Sequence, residues 1–401
     1  MPTARAVALV TAAALLGDTL LYSALPVNAT RLGLDALAIG LVLSLNRWVR
    51  LLTNPIAARL YERIPAGALV VAALALAVIS TASYAVPAAL ALFLGARLLW
   101  GLTWSLLRLG TLLSAIESAS APGQRPRTGR ALGNARAIYG LGYFGGALYA
   151  PFAVDAFGWE RAVLGAALFT LLLGVGPALL VSGWSRDVDV NEREEAAVRR
   201  SLVDPRFIGL FLVAAAQYGV GAGILPIGGG LRVAEAFADG GAVLSFPVAA
   251  TVIAGLFILG QRVAQVAWTL LAGRLADRAL PATFVGSTLV ATGAALALTV
   301  APDATAFIAL GAVGFFAGIT STVALELAIA HRTTAADRPR ILGAYTTWAD
   351  GGAATGALVA GFLALPGTHV PLLAAAALTA ATLVAAPTVR ASALAVRAST
   401  P

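Results

Sequence analysis

The chain has 401 residues, of which 59% are hydrophobic and 11% charged, and its mean hydropathy is +0.87. Soluble domains are about 25% charged, so this composition excludes an ordinary soluble protein and indicates a membrane protein. All 27 basic residues are arginine and no cysteine occurs, which excludes a Walker-type phosphate loop, a lysine Schiff base, disulfides and cysteine-ligated metals.

Apolar stretches bounded by glycine, proline and charged residues predict twelve membrane helices in chain order. None shows the two-residue alternation of a membrane β-strand, and lipid offers no hydrogen-bond partner to an open backbone, so helix is the expected state. We therefore predict an all-α integral membrane protein with twelve transmembrane helices in two pseudo-symmetric six-helix bundles. The predicted spans are 6–27, 36–58, 67–86, 89–113, 131–153, 162–183, 206–228, 246–271, 282–301, 305–330, 341–364 and 370–389.

The loops between these spans differ in charge from one side of the membrane to the other. One side has only Arg31, Arg161 and Arg232, while the loops of the other side carry most of the remaining arginines. This asymmetry predicts that both termini lie in the cytoplasm, and we expect the plasma (inner) membrane. The longest charged stretch, 184–205, is predicted to be a cytoplasmic linker between an N-terminal bundle, 1–183, and a C-terminal bundle, 206–401.

A short pattern occurs twice, at an offset of 215 positions. Residues 58–63 read Ala-Arg-Leu-Tyr-Glu-Arg and residues 273–278 read Gly-Arg-Leu-Ala-Asp-Arg, each interpreted as a basic-acidic-basic turn after an apolar span. Upstream, Asn46-Arg47 matches Gln261-Arg262 at the same offset. Two related halves in an apolar chain are typical of secondary transporters, in which the substrate binds between the repeats.

Four local patterns, taken with the twelve spans, resemble the major facilitator superfamily over nearly the whole chain, and within it the proton-driven exporters of drugs or metabolites. The loop pattern of that family is intact at 273–278 and degenerate at 58–63, and both copies lack its later glycine. Residues 97–101 resemble a pattern of the fourth helix. Residues 142–146 resemble a glycine-rich run of the fifth, without its usual proline, and 350–356 resemble an exporter pattern of the eleventh.

The resemblance implies a gate at the cytoplasmic face. Glu62 is expected to dock on the eleventh helix and Asp277 on the fifth, where the positive end of each helix dipole attracts an acid. Alternatively, the arginines of these segments only anchor the chain on the cytoplasmic side. The candidate gate residues are Arg59, Glu62, Arg63, Arg274, Asp277 and Arg278.

Charged residues within membrane spans are costly and are therefore candidates for function. Arg47 and Arg262 lie about eleven residues before the repeated pattern, roughly 16 Å from the cytoplasmic boundary at a rise of about 1.5 Å per residue. Two guanidinium groups at that depth would bind a carboxylate, a phosphate or a similar anion bidentately. Alternatively, each arginine pairs with a nearby acid and stabilises its own half.

Three acids within the spans, Asp18, Glu326 and Asp350, are candidates to carry a coupled proton. A desolvated carboxyl that changes exposure can gain and lose a proton. Each acid could instead form a static salt bridge with an arginine. Arg97 resembles the arginine that exporters of the family use to perturb a neighbouring acid, and it could equally be a structural partner of Asp18.

Aromatic side chains could form a wall for an organic substrate, although tryptophan and tyrosine in membrane proteins also pack or mark interfaces. The candidates for this wall are Trp100, Trp104, Tyr139, Tyr143 and Trp348. The predicted substrate-binding residues are Arg47, Arg262, Arg97, Trp104 and Tyr139.

The leading hypothesis is a secondary active transporter that moves a small organic anion or zwitterion by alternating access, coupled to protons and resembling antiporters for efflux. Proton-driven efflux of lipophilic drugs is one alternative, and a sensor that keeps the fold without flux is another. No enzyme or cofactor fingerprint occurs, and two separated histidines do not indicate a metal site. The expected partners are a small-molecule substrate, protons and the lipid bilayer, with no nucleic acid, and we expect a monomer.

Overall fold

The computed structural model describes residues 2–28, 32, 36–86, 90–119, 128–185, 202–237, 239–248, 250–334, 337–363 and 369–399. Over these residues the chain is helical except for short turns and one two-stranded hairpin. The chain divides into two compact units. Unit 1 contains Met1–Pro126, Ala135–Leu202 and Thr334–Thr347, and unit 2 contains Arg127–Asn134, Val203–Thr333 and Trp348–Pro401.

Six helices make up most of unit 1. They are rich in leucine and alanine, which have high helix propensity, and they end where the backbone is interrupted. Pro65 precedes α3, and Gly158, with a φ of 76°, separates α5 from α6. The six helices are α1 (Pro2–Asn28), α2 (Ala36–Arg63), α3 (Ala66–Ser83), α4 (Leu90–Ala119), α5 (Thr128–Phe157) and α6 (Trp159–Val181).

The helices of unit 2 are less regular. Helix α7 comprises Ile208–Gly219, a π-helical turn Val220–Ile224 and Leu225–Ala236, and the hairpin of β1 (Gly241–Val243) and β2 (Phe246–Val248) follows it. Helix α8 comprises Ala250–Val263, a second π-helical turn Ala264–Trp268 and the first part of Thr269–Leu298, and α9 is the rest of that segment after a bend at Ala279. The last three helices are α10 (Ala304–Arg332), α11 (Arg338–Phe362) and α12, which comprises Val370–Ala381, a 3-10 turn Thr382–Ala385 and Ala386–Ser399.

Each unit has an aromatic core. In unit 1 the rings of Tyr84 and Phe93 lie 5.4 Å apart within a cluster of buried aliphatic side chains. In unit 2 the ring of Phe257 lies 5.0 Å from that of Phe307 and 5.2 Å from that of Phe315. Tilted and edge-on ring pairs at these distances add to the free energy gained by burying apolar area.

Every predicted span corresponds to one of these twelve helices, so the predicted architecture is confirmed. Nine stretches of the described chain are long and apolar enough to cross a membrane, by length and composition alone. One of the nine, Leu256–Leu298, is 43 residues long and contains most of α8 together with α9. The nine do not include α2 or α11, the helices that carry Arg47 and Asp350.

Two details of the predicted elements are wrong, and one boundary stays a prediction. The segments 58–63 and 273–278 are not turns but the last helical turns of α2 and α8, because the breaks come later, at Pro65 and at Ala279. Residues 246–248, assigned to the eighth span, form a strand of the hairpin. The predicted linker 184–205 lies largely outside the described residues, so the bundle boundaries stay a prediction.

Close helix crossings occur in the same form in both units. In unit 1, α5 lies so near α1 that a β-carbon on Gly142 would collide with the carbonyl oxygen of Ala12. Small residues allow membrane helices to approach to backbone contact, so the glycine-rich run of α5 has a packing role. The same kind of contact is made by Gly146 on Leu16 in unit 1, and by Gly352 on Ala215 and Gly356 on Gly219, between α11 and α7, in unit 2.

Candidate functional site

Each unit holds one arginine of the predicted anion-binding pair. In unit 1, Arg47 is half-buried on α2, directly after the buried Asn46. Among the described residues its guanidinium has no hydrogen-bond or ion-pair partner. In unit 2, Arg262 is half-buried on α8 and its Nη1 donates to Oε1 of Gln265 at 3.2 Å. Both units therefore present a partly accessible cation in the middle of a membrane helix.

The surroundings of Arg262 include both π-helical turns of unit 2. Gln265 belongs to the turn that follows Arg262 on α8. The side chain of Gln261, one residue earlier, donates from Nε2 to the carbonyl oxygen of Gly221 at 2.8 Å, within the π-helical turn of α7. A π-helical turn displaces the backbone from the regular helical bonding pattern and is frequent at functional sites. Here it provides a carbonyl that fixes the residue next to Arg262.

Arg97 and Asp18, predicted for substrate binding and proton coupling, lie together in the interior of unit 1. Nη1 of the fully buried Arg97 donates to Oδ1 of Asp18 at 2.5 Å, and its Nε donates to the carbonyl oxygen of Val42 at 2.9 Å. Asp18 is 6% exposed. The contact matches the alternative of a structural pair, because a buried charge pair is held by its mutual attraction and its hydrogen bonds. The substrate and proton roles stay predictions, and both require this pair to open.

The other two candidate acids are buried in unit 2. Glu326 on α10 is 2% exposed and Asp350 on α11 is 3% exposed. Five residues before Glu326, the hydroxyl of Ser321 accepts from Nε2 of Gln217 at 2.7 Å and lies 2.8 Å from the hydroxyl of Thr288. This polar network joins α7, α9 and α10 in the same part of α10 as the acid. Both acids stay candidates for the coupled proton, because ionisable groups buried in membrane helices are costly and usually functional.

Trp104 lies at the centre of an aromatic group on α4 and α5 in unit 1. Its ring centroid is 6.5 Å from that of Trp100, 6.3 Å from that of Tyr139 and 6.2 Å from that of Tyr143. Its indole Nε1 is buried and has no hydrogen-bond acceptor among the described residues. The structure thus brings together four of the five predicted wall residues, whereas Trp348 belongs to unit 2.

The acid of the intact repeated pattern caps a helix. Asp277, near the end of α8, accepts the backbone N–H of Gly129 at Oδ1, at 2.7 Å, and that of Arg130 at Oδ2, at 2.8 Å. Both donors belong to the first turn of α5, where backbone N–H groups have no partner within the helix. The carboxylate satisfies two of them and faces the positive end of the helix dipole.

The start of α11 corresponds to the start of α5. Gly133 of α5 packs against the backbone of α8, and Gly343 of α11 packs against Ala58 of α2. Positions 133 and 343 therefore correspond, and Pro339 on α11 stands where Gly129 stands on α5. Proline has no backbone N–H to donate, so an acid at this place cannot make both bonds that Asp277 makes.

The acid of the degenerate pattern makes a different contact. Oε1 of Glu62 accepts from Nε of Arg340 at 2.6 Å, and the two side chains are 7% and 9% exposed. Pro339 removes one backbone donor at this place, and a side-chain ion pair joins the end of α2 to the start of α11. The other predicted gate residues lie exposed near the ends of α2 and α8, and they are Arg59, Arg63, Arg274 and Arg278.

The sequence reasoning missed a polar contact that also repeats. The hydroxyls of Thr53 and Ser105 lie 2.8 Å apart and join α2 to α4, and Nε1 of Trp268 donates to the hydroxyl of Thr320 at 2.9 Å and joins α8 to α10. Each residue of the second contact lies 215 positions after its counterpart in the first. The offset was therefore the available signal, but the exchange of threonine for tryptophan concealed it.

Comparisons with known proteins give one family. The family model described as Major Facilitator Superfamily matches residues 7–265. A search of the curated proteins finds no match. Three similar solved structures are 13–16% identical to this chain, so their similarity shows the fold alone.

Three solved structures are similar over nearly the whole chain. The human organic anion transporter MFSD10 (TETRAN) is 15% identical with a TM-score of 0.69, over 96% of this chain and 99% of that one. A bacterial homologue of the iron transporter ferroportin, in its outward-facing state, is 13% identical with a TM-score of 0.70, over 98% and 99%. The Major Facilitator Superfamily transporter FucP, in the outward conformation, is 16% identical with a TM-score of 0.75, over 98% of each chain.

Proposed function

Because the chain belongs to the Major Facilitator Superfamily, we propose that it is a secondary active transporter that moves a small organic anion or zwitterion by alternating access. It is a multi-pass membrane protein. The distribution of arginines between its loops supports a location in the plasma (inner) membrane with both termini in the cytoplasm. We propose that it acts as a monomer and takes protons as its coupling ion.

The observation that carries the anionic substrate is the pair of equivalent arginines, Arg47 in unit 1 and Arg262 in unit 2. Each is half-buried in the middle of a helix, where a positive charge needs a negative partner from the protein or from the cargo. Arg47 has no such partner among the described residues. A carboxylate or phosphate of the substrate would supply it, and the planar guanidinium group can bind such an anion through two parallel hydrogen bonds.

The contacts of Asp277 and Glu62 support a gate at the cytoplasmic ends of the helices. Asp277 holds the first turn of α5, and Glu62 holds Arg340 in the first turn of α11. Both contacts join segments that are far apart in the chain, so they can break without unfolding either helix. We propose that they form when the cytoplasmic side is closed and break when it opens, which gives the substrate access to that side.

Proton coupling is assigned to one of the three buried acids, Asp18, Glu326 and Asp350. Asp18 pairs with the buried Arg97, so its use as the proton carrier would require that pair to open. Exchange of protons for the anion would make the protein an antiporter for efflux.

Binding measurements on lysine variants test the anion. We expect that Arg47→Lys, Arg262→Lys and the double variant each bind an organic anion at least about tenfold more weakly, because a point charge cannot reproduce the planar fork. Arg50→Lys is the matched control, since Arg50 lies one turn further along α2 and already donates to the carbonyl oxygen of Asn46 at 2.9 Å. Affinity follows from the ligand dependence of the thermal unfolding temperature of purified protein.

The same experiment separates the alternative functions. Affinity near that of the wild type in all three lysine variants would rule out the arginines as the anion site and leave efflux of lipophilic drugs as the better hypothesis. A protein that binds the anion but moves none into or out of proteoliposomes would be a sensor with a transporter fold. A flux that responds to an imposed proton gradient would identify the coupling ion.

A further inference from the structure

The indole N–H of Trp104 is buried and has no acceptor among the described residues, whereas the indole N–H groups of Trp159 and Trp268 each have one. Trp159 donates from Nε1 to the carbonyl oxygen of Tyr84 at 2.7 Å, and Trp268 donates to the hydroxyl of Thr320 at 2.9 Å. Trp104 is only 7% exposed, and its Nε1 has no acceptor among the described residues. An indole nitrogen can only donate. A buried donor without an acceptor destabilises the fold. A ligand oxygen that accepted this N–H would remove that cost.

The rings around Trp104 define what kind of molecule could bring that acceptor. Trp100 is nearly parallel to Trp104, with an interplanar angle of 29°, whereas Tyr139 and Tyr143 present edges at 89° and 63°. We name these four residues the aromatic group. Aromatic rings prefer offset-stacked or edge-on neighbours, and this arrangement combines both geometries around one indole, so a flat conjugated ring gains more there than a saturated one.

The backbone holds the two halves of the aromatic group in place. Trp100 and Trp104 are four residues apart on α4, and Tyr139 and Tyr143 are four residues apart on α5, so each pair shares one helix face. On α5 the next position to Tyr143 is Gly142, which brings the backbone of α5 against α1. Because a β-carbon at Gly142 would collide with α1, this contact sets a close spacing between α5 and α1, and the tyrosine edges on α5 are positioned by it. Prearrangement lowers the cost of ordering side chains when a ligand binds.

We propose that the anion is an aromatic or conjugated carboxylate whose ring binds against the aromatic group and whose oxygen accepts the indole N–H of Trp104. This inference rests on the proposed function and specifies its substrate class. A charged oxygen makes a shorter and stronger hydrogen bond than a neutral one, so a carboxylate suits a buried donor better than a ketone or an ether does. A saturated carboxylate would keep that bond but lose the ring contacts.

Two matched probes test both parts of the inference. 3-Phenylpropionate and 3-cyclohexylpropionate carry the same carboxylate and chain and differ in the ring alone. We expect the wild type to bind the phenyl compound several-fold more tightly. Trp104→Phe keeps a ring but removes the donor, so it should weaken both probes about tenfold, the effect of one hydrogen bond to a charged group, and preserve the preference for the phenyl ring. Trp104→Leu should abolish that preference.

Controls make the outcomes distinct. Trp184→Phe removes an indole outside the aromatic group and should leave both affinities unchanged. Tyr139→Leu leaves Trp104 intact and should reduce the phenyl preference, which provides a second test if Trp104→Phe does not fold. Failure of the wild type to bind either probe overturns this inference, whereas the proposed function is tested separately by the lysine variants of Arg47 and Arg262. Binding of both probes with equal affinity, or a Trp104→Phe affinity equal to that of the wild type, overturns this inference alone.

Discussion

Removing the carboxylate of Asp277 should shift the protein toward the state that is open to the cytoplasm. The carboxylate accepts two backbone N–H groups of the first turn of α5, at 2.7 and 2.8 Å. Loss of a helix N-cap costs about 0.5–2 kcal/mol, and loss of the charge at the helix end costs about 0.3–1 kcal/mol more. Asp277→Ala should therefore favour the open state by about 1–3 kcal/mol, a change of roughly 5- to 150-fold in the equilibrium. Asp277→Asn keeps one acceptor and should have about half that effect.

The population of the open state can be measured by distances between spin labels. The chain has no cysteine, so single cysteines introduced at the exposed Ile64 and Ala279 would carry the only labels. Asp277→Ala should increase the fraction of long distances and slow the flux, because the closed state forms less often. Asp303→Ala is the matched control, since Asp303 caps α10 through Ala306 of its own segment at 2.8 Å. It should lower the unfolding temperature without changing the distances.

If Asp277→Ala gave the distance distribution and the flux of the wild type, the cap would contribute nothing to the closed state. Equal shifts in Asp277→Ala and Asp303→Ala would point to general destabilisation instead of a gate.

Three further outcomes follow from the packing and the buried charges. Gly142→Ala should lower the free energy of unfolding by about 1–3 kcal/mol, because the added methyl group overpacks against α1. Gly176→Ala is the control and should be neutral or slightly stabilising, since no atom lies within 4 Å of the added carbon. Thermal unfolding compares the two variants. Asp18→Ala should lower the free energy of unfolding by about 3–5 kcal/mol, because it leaves a buried guanidinium without its acid. Asp204→Ala is the control and should lower it by at most about 1 kcal/mol, since its partner Arg206 is 61% exposed. Chemical denaturation measures both values. Replacing the coupled acid among Asp18, Glu326 and Asp350 by its amide should abolish proton-driven flux and leave substrate exchange intact, and coupling lies elsewhere if all three amide variants still respond to a gradient.

The twelve helices were predictable because each apolar stretch must satisfy its backbone hydrogen bonds internally. The hairpin was not, because its turn places Leu244 and Ser245 at φ values of 49° and 72°. Such angles are usually adopted by glycine or asparagine, and hairpin turns are recognised in a sequence by Asn-Gly or Asp-Gly. Here the turn is Leu-Ser, so that signal is missing. The π-helical turns of α7 and α8 likewise have no composition that separates them from regular helix, since tertiary packing decides where a helix widens.

The candidate site was only partly predictable for a different reason. The sequence repeat gave the equivalence of Arg47 and Arg262, because both keep the same residue type at the same offset. It left open whether Asp18 carries a proton or pairs with Arg97, since the two lie 79 positions apart and only the packing of α1 against α4 decides their distance. The replacement of Gly129 by Pro339 is visible in the sequence. Its meaning depends on the contacts of Gly133 and Gly343, which only the structure provides.

The glycine crossings also bear on how the two halves diverged. Gly142 and Gly352 are 210 positions apart, while the loop pattern repeats at 215, so insertions and deletions have shifted the helices relative to one another. Glu62 in one half corresponds to Asp277 in the other, and Asn46 corresponds to Gln261, but the two crossings still lack a β-carbon at the same points of contact. The repeat is therefore recorded both in side chains that the two halves keep, such as Arg47 and Arg262, and in positions where a backbone contact leaves no room for a side chain. A search for ancient internal repeats in similar proteins can use paired close approaches between backbones after residue identity has faded.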